Sequence, residues 1–147
     1  MKRIAVLAVL FITAFSVFAG DFGTGVQNDK SFVGRWKWVN VIVGPDKLET
    51  GDNASNYLLT FNEDGTLKIK ADCRQGSGTW STVSGVLTLN INSITKTNCE
   101  SNSYADKMIQ LLEVGSYKYK FNSTTQFDLI FAKGTGTAGF SKINDNL

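Results

Sequence analysis

Tyr57-Leu58-Leu59-Thr60-Phe61-Asn62-Glu63-Asp64-Gly65-Thr66-Leu67-Lys68-Ile69-Lys70-Ala71-Asp72-Cys73 is the stretch of this 147-residue chain that decides its fold. An apolar run leads into Asn62-Glu63-Asp64-Gly65, and the chain then returns in strict alternation. Asp-Gly between two such runs marks a hairpin, because glycine accepts the positive φ that a tight turn demands. On the return, Leu67, Ile69, Ala71 and Cys73 share one face, and Thr66, Lys68, Lys70 and Asp72 share the other. That is a strand with one face on a core and one in water, and it predicts that Cys73 points inward.

The same alternation extends outward from the hairpin. Phe32 to Val43 reads as a strand with Trp36 and Trp38 on one face, and Pro45 to Asn56 as a polar loop. Beyond the hairpin, Gly76-Ser77-Gly78 reads as a break and Thr79-Trp80-Ser81 as a short strand. Ser84-Gly85 turns the chain into Val86–Asn92, with Leu87, Leu89 and Ile91 facing one way, and Ile94 to Cys99 extends the sheet less regularly. The period then changes. Ser103 is placed to cap a helix, with Asp106 three residues on. Tyr104, Met108, Leu111 and Leu112 follow as one helical stripe, and Gly115 ends it. Tyr117, Tyr119, Phe121 and then Phe127, Leu129, Phe131 form two last alternating runs.

One proline, Pro45, and turn residues every eight to twelve positions or so fit an all-β domain. The fold expected is mainly β: a small curled antiparallel sheet, or an open barrel, closed by one α-helix. A two-sheet sandwich is the alternative. The helical stripe should lie on the face made by Leu67, Ile69, Leu87 and Leu89, since a bare apolar face would invite aggregation. On that reading Leu111→Ala costs about 2–5 kcal/mol.

The first 19 residues have the pattern of a secretory signal peptide. Lys2 and Arg3 precede the apolar Ile4–Phe15, interrupted by Thr13 alone, and Val17-Phe18-Ala19 offers a cleavage site. An uncleaved membrane anchor is the alternative. After cleavage no second apolar segment of spanning length follows, so no transmembrane segment is expected. The domain organisation expected is then signal peptide 1–19, flexible mature N-terminus 20–31, β domain 32–141 and C-terminal tail 142–147. The localisation expected is periplasmic or secreted, and the mature protein is expected to be a monomer. The chain holds 15 Lys and Arg against 13 Asp and Glu, and two of the basic residues leave with the signal, so the mature charge balances at zero. Without a basic cluster, nucleic acid is not an expected partner.

Cys73 and Cys99 are the two cysteines, and in an oxidising compartment an even count favours a bridge. Two buried thiols are the alternative. With no histidine in the chain, the usual base for a Ser or Cys nucleophile is missing, and two thiolates alone do not close a metal site. No catalytic residue, cofactor or metal is therefore expected. Asp72 beside Arg74 reads as a solvated ion pair. Asn53-Ala54-Ser55 and Asn122-Ser123-Thr124 match the glycosylation sequon, a frequent chance match.

In this order the residues resemble the META/HslJ-like family. The matching stretches are Gly34-Arg35-Trp36-Lys37-Trp38, Leu59 to Thr66, Ala71-Asp72-Cys73 with Gly78-Thr79-Trp80, and Leu87-Thr88-Leu89 leading to Thr95–Cys99. The resemblance runs from about Phe32 to Phe140, with Arg74 where the family pattern has Asn after the first Cys. It implies a compact β-rich domain and an extracytoplasmic bacterial protein linked to stress or drug tolerance, and in some relatives to secretion or virulence. It brings no catalytic residues.

The function expected is therefore non-enzymatic binding of a hydrophobic small molecule or an envelope protein. Trp36, Trp38, Trp80, Met108, Tyr117 and Tyr119 are the contact candidates, being large amphipathic or adaptable side chains. Two alternatives stand beside it. One is a hydrolase using carboxylates such as Asp72 or Asp64, which needs two acids converging in a cleft. The other is an accessory domain with a purely structural role.

Overall fold

The structure, a computed structural model, describes residues 28–144, so the expected signal peptide lies outside the described residues. Nine strands and one α-helix follow in order among them: β1 Gly34–Val43, β2 Asp46–Glu49, β3 Tyr57–Phe61, β4 Thr66–Ala71, β5 Arg74–Val83, β6 Val86–Ile94, α1 Ala105–Glu113, β7 Ser116–Ser123, β8 Gln126–Ile130 and β9 Gly136–Lys142. All pairings are antiparallel, and the order β1-β3-β4-β5-β6-β7-β8-β9 returns to β1. Eight strands thus close a barrel, and β2 flanks the far half of β1. The mainly β fold with one helix is as expected, but strand pairing between β9 and β1 closes the barrel rather than the helix.

The β3–β4 hairpin has the register that the alternation requires, with Leu59 opposite Ile69 and Phe61 opposite Leu67. Gly65 takes φ 82°, and the Asp64 carboxylate accepts hydrogen bonds from the amide and hydroxyl of Thr66 at 2.9 and 2.6 Å. The return strand stops at Ala71. Asp72, at φ 57°, and Cys73 form the next turn, so Cys73 is exposed and not inward as expected. Gly76-Ser77-Gly78 is no break either, since β5 runs straight through it. A Cβ on Gly78 would strike the Asn90 carbonyl, and one on Gly76 would strike Ile94 and the Ser93 carbonyl. These glycines permit close approach to β6, around a bulge at Ser77/Gly78.

Three segments expected to be irregular are ordered. Asp46–Glu49, within the expected loop, is β2. Asn28–Ser31, expected to be flexible, is tied to β5: the Asp29 amide donates to Thr82 Oγ1 at 2.6 Å and the Thr82 amide to Asn28 Oδ1 at 3.2 Å. A single 3-10 turn, Lys30–Phe32, then sends Phe32 into the barrel. At the other terminus, Lys142 still belongs to β9 and the Ile143 amide donates to the Arg35 carbonyl at 2.8 Å.

The barrel interior is filled. Phe32, Trp36, Trp38, Phe61, Phe127 and Phe140 are all at most 1 % exposed. Trp36 meets Phe127 edge-on at 4.7 Å, and Phe127 stacks on Phe140 at 4.9 Å, geometries that suit aromatic quadrupoles. Each buried indole N–H has a carbonyl acceptor: Phe32 for Trp36, Asn40 for Trp38 and Asn62 for Trp80.

Helix α1 lies where β6 and β7 part, beyond the pairing of Val86–Thr88 with Ser116–Lys118, and packs on β6 and β4. The strands it packs on are those that carry the expected face, but the stripe is rotated. Ala105, Met108, Ile109 and Leu112 are buried, whereas Tyr104 and Leu111 are half-buried. Ser103 lies one residue before the cap position, its hydroxyl accepting from the Ala105 amide at 3.2 Å. Leu112→Ala should therefore cost about 2–5 kcal/mol. Leu111→Ala should cost less than half as much, correcting the sequence expectation. Urea unfolding of the two variants checks the order.

Cys73 and Cys99 form a disulfide with Cα atoms 5.5 Å apart, so that expectation holds. It ties the β4–β5 turn to the segment that leads into α1. Arg74 adds a second tie: its guanidinium meets Asp106 at 2.7 Å and donates from Nε to the Thr97 carbonyl at 2.9 Å. The expected Asp72–Arg74 pair is replaced by this reach to the helix.

Candidate functional site

A groove of about 980 Å³ opens between α1, the start of β7, the end of β8 and the Ala132–Thr135 connection to β9. That volume lies at the upper end of the roughly 300–1,000 Å³ typical of small-molecule sites. Its apolar wall comes from Leu111 of α1 and Val114 at its C-cap, Val86 of β6, Ile130 and Phe131 around the end of β8, and Val41 of β1. Val114 is 68 % exposed, a large apolar side chain left in water beside other apolar groups.

Local sequence explains the opening. Gly115, at φ 83°, ends the helix sharply, and its carbonyl accepts from the Leu89 amide at 2.7 Å, setting the start of β7. On the facing side, Lys133 (φ 58°) and Gly134 (φ 67°) both hold left-handed backbone, which turns the connection back on itself. A left-handed non-glycine residue costs about 1–2 kcal/mol, and such positions cluster at binding loops.

Tyr117 lines this groove from β7. The residue is 3 % exposed, and its hydroxyl is buried without a hydrogen-bonding partner among the described residues. Burial pushes the phenol up to about 12, so it stays protonated and able to donate at any physiological pH. An unpartnered buried hydroxyl costs about 1–3 kcal/mol and is uncommon in native folds. Three lysines also line the groove, Lys107 of α1, Lys118 of β7 and Lys133, and no Asp or Glu is among its lining residues. None of the three is paired with a carboxylate among the described residues.

The six contact candidates fare unequally. Trp36, Trp38, Trp80 and Met108 are buried core residues, and none of them lines the groove. Their inward register on β1, β5 and α1 explains why. Tyr119 is half-buried, and its hydroxyl donates to Asp29 Oδ2 at 3.1 Å. Burial of Asp29 opposes its ionisation, but hydrogen bonds from Ser31 and Tyr119 outweigh it and hold the carboxyl below its ordinary range. Tyr117 alone of the six lines the groove. Leu111, Val114, Phe131 and the lysines carry no contact signal in the sequence, since nothing local there shows which loop faces which helix.

The two carboxylates of the hydrolase alternative lie at opposite ends of β4, Asp64 in the turn before it and Asp72 in the turn after it. They do not converge. Asp64 is held below its ordinary range by its Thr66 hydrogen bonds, which suits a turn-forming residue. Among the described residues no group of three or more His, Cys, Asp or Glu is placed to hold a metal ion. No helix among them is long and apolar enough to cross a membrane.

Neither a family model nor a curated protein matches this chain. Solved structures do, at the level of fold. A protein from Burkholderia xenovorans solved by NMR aligns with TM-score 0.55 and 10 % identity, covering 80 % of this chain and 84 % of that one. A DUF4847 family protein from Bacteroides vulgatus gives TM-score 0.52 and 15 % identity over 76 % of this chain and 95 % of that one. An uncharacterized protein from Bacteroides eggerthii gives 0.54 and 13 % over 76 % and 99 %. At such identities the shared property is the barrel itself.

Proposed function

We propose that this is a non-enzymatic binding protein of the periplasm or the extracellular space, and that its ligand is a hydrophobic small molecule held in the α1–β7 groove. The observation that carries the reading is the groove itself: an apolar-walled cavity of ligand size beside a barrel whose interior is already filled. The exposed Val114 and the unpartnered Tyr117 hydroxyl are both features that a bound molecule would satisfy. The disulfide supports an oxidising compartment, as does the signal-like Met1–Ala19. The resemblance to META/HslJ-like proteins supports a role in envelope stress or drug tolerance.

Titration with a neutral hydrophobic fluorophore, N-phenyl-1-naphthylamine, tests this. One saturable site is expected, abolished in Leu111→Trp, whose indole would fill the groove from a half-buried position. Saturable binding that survives Leu111→Trp undiminished would place the ligand elsewhere.

A further inference from the structure

We propose that the groove is built for an amphiphile with a single carboxylate head, a free long-chain fatty acid in chemical class. This rests on the reading of the groove as a small-molecule site and names what enters it. Two independent features point to the head. The cationic rim of Lys107, Lys118 and Lys133 comes from three separate elements, with no acidic residue among the lining residues to neutralise it. The protein as a whole is not basic: 15 Lys and Arg stand against 13 Asp and Glu in the full chain. A single-sign rim in a nearly balanced protein is charge complementarity for an anion.

The second feature is Tyr117. Its buried hydroxyl can donate one hydrogen bond and accept others, and it has no partner among the described residues. A carboxylate oxygen is the strongest acceptor a ligand could bring to it, because hydrogen bonds to ionised groups are roughly twice as strong as neutral ones. The apolar wall supplies the rest. Leu111, Val114, Ile130 and Phe131 offer flexible and aromatic apolar surface, which suits an alkyl chain, and the uncharged polar groups beside them are Gln110, Ser116 and Thr135. Lysines suit such a ligand better than arginines would. An ammonium on a flexible stem follows a head group that is not rigidly placed, and its methylenes cover apolar surface beside the chain.

The test is calorimetric or fluorescence-displacement titration of the full chain as it folds, disulfide intact, with dodecanoate, dodecan-1-ol and dodecyltrimethylammonium. Dodecanoate should bind at one site and the alcohol about tenfold more weakly, with no binding of the cation. Dodecanoate affinity should fall with added sodium chloride, since exposed charges are screened. In Lys107→Gln/Lys118→Gln/Lys133→Gln that salt dependence should vanish. Tyr117→Phe should weaken dodecanoate about tenfold or more, the loss of a hydrogen bond to a charged group. The same variant should leave the thermal midpoint unchanged or raised, a split that a merely structural tyrosine would not give. Equal affinities for dodecanoate and dodecan-1-ol would overturn the carboxylate assignment while leaving a hydrophobic site in the groove. No binding of any of the three would overturn both. Association with phosphatidylglycerol vesicles but not with free dodecanoate would also overturn it, assigning the lysines to a membrane surface.

Discussion

Phe32→Ala is expected to lower the unfolding free energy by about 3–5 kcal/mol, the range for truncating a buried aromatic side chain. Phe32 ends the 3-10 turn Lys30–Phe32 and is fully buried in the barrel core. Its ring centroid lies within 6.0 Å of five others: Phe61, Trp80, Tyr119, Phe121 and Phe127. These come from β3, β5, β7 and β8, so one side chain joins strands far apart in sequence. Its backbone carbonyl also accepts the Trp36 indole N–H at 2.6 Å, and the segment before it is bonded to β5. The alanine would leave a cavity that these rings could close only by giving up their present tilted and edge-on geometries. Guanidinium unfolding of the variant reads the cost, and a loss under about 1 kcal/mol would mean that Asn28–Phe32 is not part of the cooperative unit.

Removing both cysteines, as Cys73→Ser/Cys99→Ser, should cost about 2–5 kcal/mol, with the chain-entropy contribution for a 26-residue separation near 3.5 kcal/mol. The structure adds where the loss will be felt. The bridge and the Arg74–Asp106 pair both fix the approach to α1, and α1 forms one wall of the groove. That ion pair is too exposed on the Asp106 side to hold the helix alone. Amide exchange across 105–113 should therefore speed up in the double variant far more than exchange in β3 or β4. A midpoint equal to that of the parent protein, with helix protection intact, would show that the bridge is incidental to the site.

What was legible in the sequence, and what was not, follows from contrast between neighbouring residues. The β3–β4 hairpin was plain because large apolar residues alternate with Lys and Thr around Asp64-Gly65. β9 was not, because Gly136-Thr137-Ala138-Gly139-Phe140-Ser141-Lys142 has one large apolar residue in seven. Its residues are small for a reason: a Cβ on Gly136 would collide with the Ile42 carbonyl of β1. The strand that closes the barrel is thus the one whose close packing erases its own pattern. β2 was missed for the opposite reason. Asp46-Lys47-Leu48-Glu49 is charged because it flanks the barrel, with a 2.6 Å Lys47–Glu49 pair facing water.

At the site, aromatic character drew attention to Trp36, Trp38 and Trp80, but in a barrel the same inward register that makes them conspicuous also buries them. The groove joins a helix and the strand start just after it to a loop beyond β8, which the β7–β8 pairing of Lys118 with Ile130 brings alongside, and alternation within a single strand carries no sign of that meeting.

The central claim is that binding takes place in the outer groove and not inside the barrel. Titrating ¹⁵N-labelled protein with dodecanoate and following its amide and indole signals tests this most directly. Shifts are expected to be confined to Lys107–Lys118 and Ile130–Thr135, with the indole N–H signals of Trp36, Trp38 and Trp80 unmoved because each is already bonded to a backbone carbonyl inside the core. Movement of those three indole signals, with the groove amides silent, would contradict it and put the ligand in the barrel interior.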